Sequence, residues 1–211
     1  MNNEKDTKNQ PGWDAITAAF ESVYPGQRNP RHYAPRLPLV AGGNDPLDGI
    51  SVYDDGDCWH FVGYGLSDLY GKQGDDPDYS GFGVEYTLRL KKAGLGDAES
   101  EERELKCVCA LLQTLARLAY RGEIFQPFEC LYTGQKEGID AERKSNITGC
   151  ITVPDTRVPG LDTPDGHVDF VLFIGMTDAE LRTLADGRYD VRELYEKYGS
   201  DLTDYQRNSV C

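Results

Sequence analysis

The run Val168–Met176 (VDFVLFIGM) is apolar at nearly every consecutive position, broken only near its start by Asp169. Successive side chains in a strand point to opposite faces, so a strand of this kind is stable in the middle of a sheet covered on both sides. A second run, Phe82–Lys91, alternates instead, with Val84, Tyr86, Leu88 and Leu90 against Glu85, Thr87, Arg89 and Lys91. That period predicts a strand with one buried and one wet face. Cys58–Tyr64, Ile124–Leu131 and Ile147–Val153 read as further strands.

Covering layers are also encoded. Ile16, Ala19, Phe20 and Val23 recur at helical spacing behind Asp14, and Tyr24-Pro25-Gly26 stops the run. Ser100, with nearby glutamates, is expected to open a longer helix whose stripe is Leu105, Val108, Leu112, Leu115 and Ala119, ending at Gly122. Two capping boxes follow, Thr177 with Glu180 and Asp190 with Glu193, each starting a short helix that ends at Gly187 or Gly199. The proline- and glycine-rich stretch 27–49 suits irregular structure or short edge strands, and the polar segment 133–146 reads as a mobile loop. Strands interleaved with helices, without a regular βαβ repeat, predict one α+β domain over 13–211, a mixed β-sheet flanked by helices. A polar tail at 1–12, expected to be disordered, precedes it.

Charge narrows the partner class. Lysine and arginine total 22 against 36 aspartates and glutamates, a net charge of −14. Nucleic-acid affinity comes mainly from cations that displace counterions, so this balance argues against it, and it has the wrong sign for an anionic membrane. Val168–Met176, the most apolar stretch, is far short of the roughly 20 residues of a membrane span. No signal-peptide core lies near the start, and the six cysteines form no C-x-x-C pair, which predicts reduced thiols in a cytoplasmic protein.

Motifs for chemistry are incomplete. Gly65-Leu66-Ser67-Asp68-Leu69 has the first glycine of a nucleophile elbow but not the second, so a hydrolase using Ser67 or His60 in a cleft is the competing reading. Asp76, Asp78, Ser80 and Gly81 match the start of a calcium loop, but Thr87 stands where its bidentate glutamate belongs. No phosphate loop, dinucleotide fingerprint or zinc spacing is complete, and neither a cofactor nor a metal is expected. What stands out is Trp59–Tyr70, aromatic, glycine-containing and mostly uncharged, between acidic stretches at 54–57 and 75–78. It suits recognition of a peptide or basic protein, and equally a core strand with solvated turns.

These same residues carry a family resemblance. Tyr24-Pro25 with Gln27 and Asn29-Pro30, Gly42-Gly43 with Asp45-Pro46-Leu47-Asp48, Ser51, Tyr53 and Trp59-His60 fall in a shared order. Gly65-Leu66-Ser67-Asp68-Leu69-Tyr70-Gly71 and Ser80-Gly81-Phe82-Gly83 with Glu85, Thr87 and Arg89-Leu90-Lys91 complete the set. The chain resembles the suppressor of fused family over about 13–200, matching the amino-terminal domain of its longer members. In animals the resemblance implies a non-enzymatic repressor that holds GLI transcription factors by strand addition. For stand-alone, bacterial-type members it implies an immunity protein that neutralises a toxin, and the acidic charge suits a basic one. It places the partner-binding surface at Phe61, Asp68, Tyr70 and Gly71.

Overall fold

The computed structural model describes residues 9–211. The central strand is β8 (Gly166–Thr177), flanked by β4 (Tyr79–Lys91) and β6 (Ile147–Pro154). Beyond β4 lie β3 (Cys58–Tyr64), β2 (Gly49–Asp55) and β1 (Arg31–Tyr33); beyond β6 lies β5 (Cys130–Leu131), while β7 (Leu161–Thr163) forms a hairpin with β8. The β4–β8 pair is parallel and the other pairs are antiparallel, so the sheet is mixed, as expected.

Both faces of β8 are covered. Val171 and Phe173 join the core beneath α2 (Ala98–Ala119), whose Leu105, Val108, Leu112 and Leu115 are fully buried or nearly so. On the opposite face Phe170 packs with Ile16 and Phe20 of α1 (Pro11–Val23). Further along that face, Leu172, Ile174 and Met176 meet Leu181 of α3 (Asp178–Ala185) and Leu194 of α4 (Val191–Tyr198). Each large aliphatic or aromatic side chain so buried contributes about 1.5–3 kcal/mol. Both capping boxes form, with reciprocal side-chain and backbone bonds, and Gly199 ends α4 in the left-handed conformation.

Several expectations are corrected. The face of β4 expected to be wet is covered by α1 and the segment after β6: Glu85 and Thr87 are fully buried, and Arg89 is held by Asp55 and Asp201. The cap of α2 is Asp97, whose carboxylate accepts the Ser100 amide, so the helix starts before Ser100. Of the strand expected over 124–131 only Cys130–Leu131 pairs, because Pro127 precedes a Phe128 held at φ 71°. The loop 133–146 is tied internally, with Asp140 accepting the Lys144 and Ser145 amides. β2 was not anticipated from its short, acid-ended sequence. Helix α1 begins at Pro11 and so takes in the last two residues assigned to the tail; residues 1–8 of that tail lie outside the described residues.

Candidate functional site

The connection from β3 to β4 starts with a tight turn, Gly65–Asp68, held by one buried carboxylate. Glu85 Oε1 accepts the amides of Gly65 (2.9 Å), Leu66 (3.1 Å) and Ser67 (3.0 Å) and the Ser67 hydroxyl (2.7 Å). The Asp68 amide donates to Ser80 Oγ, and Asp68 Oδ2 accepts the Gly81 amide at 3.0 Å. Gly12 and Trp13 both direct their amides at the Leu69 carbonyl, so otherwise unpaired donors at the start of α1 anchor the turn. Two glycines are required for close approach: a Cβ on Gly65 (φ 146°) would lie 2.7 Å from the Pro46 carbonyl oxygen, and one on Gly81 (φ 56°) 2.6 Å from that of Leu66.

On this rigid floor sits an open cavity of about 350 Å³. Its rim is apolar and exposed: Val40 is 95% exposed, Tyr120 48%, Tyr70 43% and Leu39 38%. Phe82 stacks edge-on against Tyr120 at 5.0 Å, and the Tyr120 hydroxyl donates to the Gly65 carbonyl. Asp48 and Asp68 also line the cavity, with no cationic side chain among the lining residues. The arrangement combines aromatic surface, acidic character and a fixed backbone, a composition shared with protein-recognition surfaces.

The four expected surface residues separate here. Tyr70 lines the cavity, and Gly71 (φ 117°) has open space where a Cβ would project. Asp68 lies at the cavity floor but is only 7% exposed, its Oδ2 accepting the Gly81 and Gly74 amides and pairing with the Lys72 ammonium at 3.9 Å. Phe61 is fully buried under α2, so the structure corrects its placement on the surface. Trp59 is likewise mostly buried, with the Arg31 and Lys92 cations over its ring. Leu39, Val40, Phe82 and Tyr120 were missed. Leu39-Val40 is an apolar pair inside an otherwise polar and proline-rich segment, and Tyr120 stands just past the core stripe of α2.

The competing catalytic groups fall into separate networks. Ser67 Oγ donates to Glu85, whereas His60 Nδ1 meets the Tyr24 hydroxyl at 2.7 Å and Nε2 meets Asp155 Oδ2 at 2.9 Å. No hydrogen bond joins Ser67 to His60, and both His60 and Glu85 are fully buried. Burial alone would raise the Asp155 carboxyl, but bonds from His60, Thr87 and the Arg157 amide outweigh it and hold it low. Ser80, part of the incomplete calcium-loop match, is a buried β4 residue that accepts the Asp68 amide.

The fold is an α+β domain with an open, partly apolar cavity beside one strand connection. Residues 43–208 match the family model described as Suppressor of fused protein (SUFU). The human and mouse proteins named Suppressor of fused homolog are each 30% identical over 189 residues, which covers 82% of this chain and 37% of each relative. Among solved structures, a chain of the Sufu–Fu complex superposes with a TM-score of 0.80 at 27% identity, over 96% of this chain and 93% of that one. Drosophila Suppressor of Fused gives a TM-score of 0.81 at 26% identity, over 96% of this chain and 52% of that one. The chain belongs to the suppressor of fused family, and it spans little more than a third of the length of the curated relatives it matches.

Proposed function

We propose that this chain is a non-catalytic protein-binding domain whose docking face is the cavity bordered by Tyr70, Leu39, Val40 and Tyr120, with Gly71 next to Tyr70 in the chain and Asp68 beneath. The observation that carries the reading is the cluster of exposed apolar side chains over a turn fixed by Glu85 and by α1. Exposed apolar side chains gathered in one place on a soluble domain mark interaction sites. A solved relative described as a Sufu–Fu complex supports a protein as the ligand class. The net charge of −14 and the acidic lining favour a basic partner segment. Neutralisation of a basic toxin in the cytoplasm, an immunity role, is the finer reading consistent with that charge. Among the described residues no helix is long and apolar enough to cross a membrane, and all six cysteines are free.

The test is capture from a lysate of the source cells by wild type and Tyr70→Ala, with Arg188→Ala as a surface control, at low and moderate salt. Tyr70 is the informative position, because Asp68→Arg would also break the bond to the Gly81 amide and disturb the turn itself. Retention of one partner by wild type and the control, with affinity reduced about tenfold or more in Tyr70→Ala, supports the reading. Equal retention by all three removes this face from the account.

A further inference from the structure

Glu85 is the one fully buried carboxylate beneath the docking turn, and its two oxygens are treated unequally. Oε1 accepts all four bonds from Gly65, Leu66 and Ser67, while Oε2 is buried without any hydrogen-bond partner. No lysine, arginine or histidine hydrogen-bonds to this carboxylate among the described residues. The titratable groups around it are phenols: Tyr64 at the end of β3, Tyr86 on its own strand and Tyr120 after α2. Its neighbour across β8 is Phe170, and the buried residues of α1, Gly12, Ile16 and Phe20, carry no charge. Asp68, the acid of the turn, is directed to the Gly81 amide, and the nearest cation to it is Lys72, with Nζ 3.9 Å from its Oδ2.

We propose that Glu85 is the positioning residue of the docking turn, and that its uptake of a proton loosens Gly65–Asp68, so that the face is held in its docking shape only when this carboxyl is ionised. The proposal deepens the docking reading above and rests on it for its consequence, but not for the behaviour of the turn. Two opposing costs make the group sensitive. Ionised, Glu85 carries an uncompensated charge in the core, although four donors converge on one oxygen and strengthen around it. Protonated, it is a weaker acceptor, and a proton on Oε2 finds no acceptor of its own. Burial outweighs the lowering pull of the Gly65, Ser67 and Leu66 bonds and pushes the carboxyl up to about 7. That lies within reach of ordinary changes in cellular pH. The turn relaxes on the acidic side and tightens on the alkaline side. Because Phe82 donates its amide to the Leu66 carbonyl and Tyr120 its hydroxyl to that of Gly65, loosening reaches the cavity rim.

The experiment needs no partner. Amide resonances of Gly65, Leu66 and Ser67 are followed by NMR from pH 5 to 9 in wild type, Glu85→Gln and Ser67→Ala. All three amides should titrate together with a midpoint near 7 in wild type, and stay flat in Glu85→Gln. Ser67→Ala removes one donor to the ionised form and should move the midpoint up by about one pH unit. Flat amides in wild type, a titration that survives in Glu85→Gln, or an unmoved midpoint in Ser67→Ala would each overturn the proposal. If Glu85→Gln does not fold, Ser67→Ala still decides. Once a partner is in hand, its affinity should rise between pH 6 and 8 in wild type only. A flat affinity beside titrating amides would refute the coupling, whereas partner binding unaffected by Tyr70→Ala would refute the docking reading alone.

Discussion

Removing the Asp155 carboxylate should cost more stability than any single surface change, because it organises a buried chain that ties the end of α1, the β3–β4 pair and the segment after β6 together. Asp155 Oδ2 accepts from His60 Nε2 at 2.9 Å and from Thr87 Oγ1 at 2.7 Å, and Oδ1 accepts the Arg157 amide at 2.8 Å. His60 in turn meets the Tyr24 hydroxyl through Nδ1 at 2.7 Å, which links the end of α1 to β3 and β4. In Asp155→Ala the His60 and Thr87 donors are orphaned at fully buried sites. Each such loss costs about 1–3 kcal/mol, so the variant should be destabilised by about 3–5 kcal/mol. Asp155→Asn keeps an acceptor oxygen and the shape, and should lose less. The assay is equilibrium urea unfolding at pH 7, repeated at lower pH. Because the folded carboxyl is held below its ordinary value, its contribution is complete above about pH 4, the unfolded value, and is lost as pH falls further. The wild-type advantage over Asp155→Ala should therefore shrink in acid. A loss below about 1 kcal/mol at pH 7, or an advantage that grows in acid, would refute the idea that this carboxylate organises the layer.

Arg207→Met should be destabilised by about 3–5 kcal/mol in thermal melts, since it leaves Glu180, fully buried and bonded by Arg207 at 2.5 and 2.6 Å, without its cation. Glu85→Gln should gain on wild type by about 3 kcal/mol as pH rises from 4.5 to 7. The sign follows from a folded value above the unfolded one: wild-type stability is complete below 4.5 and declines up to about 7, whereas glutamine does not titrate. Urea midpoints for the pair across that range check it. Phe61→Ala should lose about 3–5 kcal/mol through the cavity it leaves, while Tyr70→Ala should stay within about 0.5 kcal/mol, a contrast that separates core from exposed cavity rim.

Much of the fold was legible where local pattern and tertiary environment agree. The doubly apolar Val168–Ile174 stretch is the core of β8, the central strand, and both capping boxes formed because their bonds are internal to one turn. The expected wet face of β4 failed for the opposite reason. Glu85 and Thr87 are polar residues that bind other buried polar groups, and alternation cannot distinguish a satisfied buried glutamate from a solvated one. The same limit explains the site. Tyr70 is exposed and lines a cavity, whereas Phe61 belongs to a strand buried on both faces. Leu39, Val40 and Tyr120 reach the cavity from two separate parts of the chain, which only the folded sheet and α2 bring together.

The central claim is that a protein partner docks on the cavity beside Gly65–Gly71, and hydrogen-exchange mass spectrometry of the purified complex tests it most directly. Backbone protection on binding should concentrate in 65–74 and in the segments carrying Val40 and Tyr120, and should fade in Tyr70→Ala at matched concentrations. Protection concentrated at 178–211 with 65–74 unchanged would contradict it.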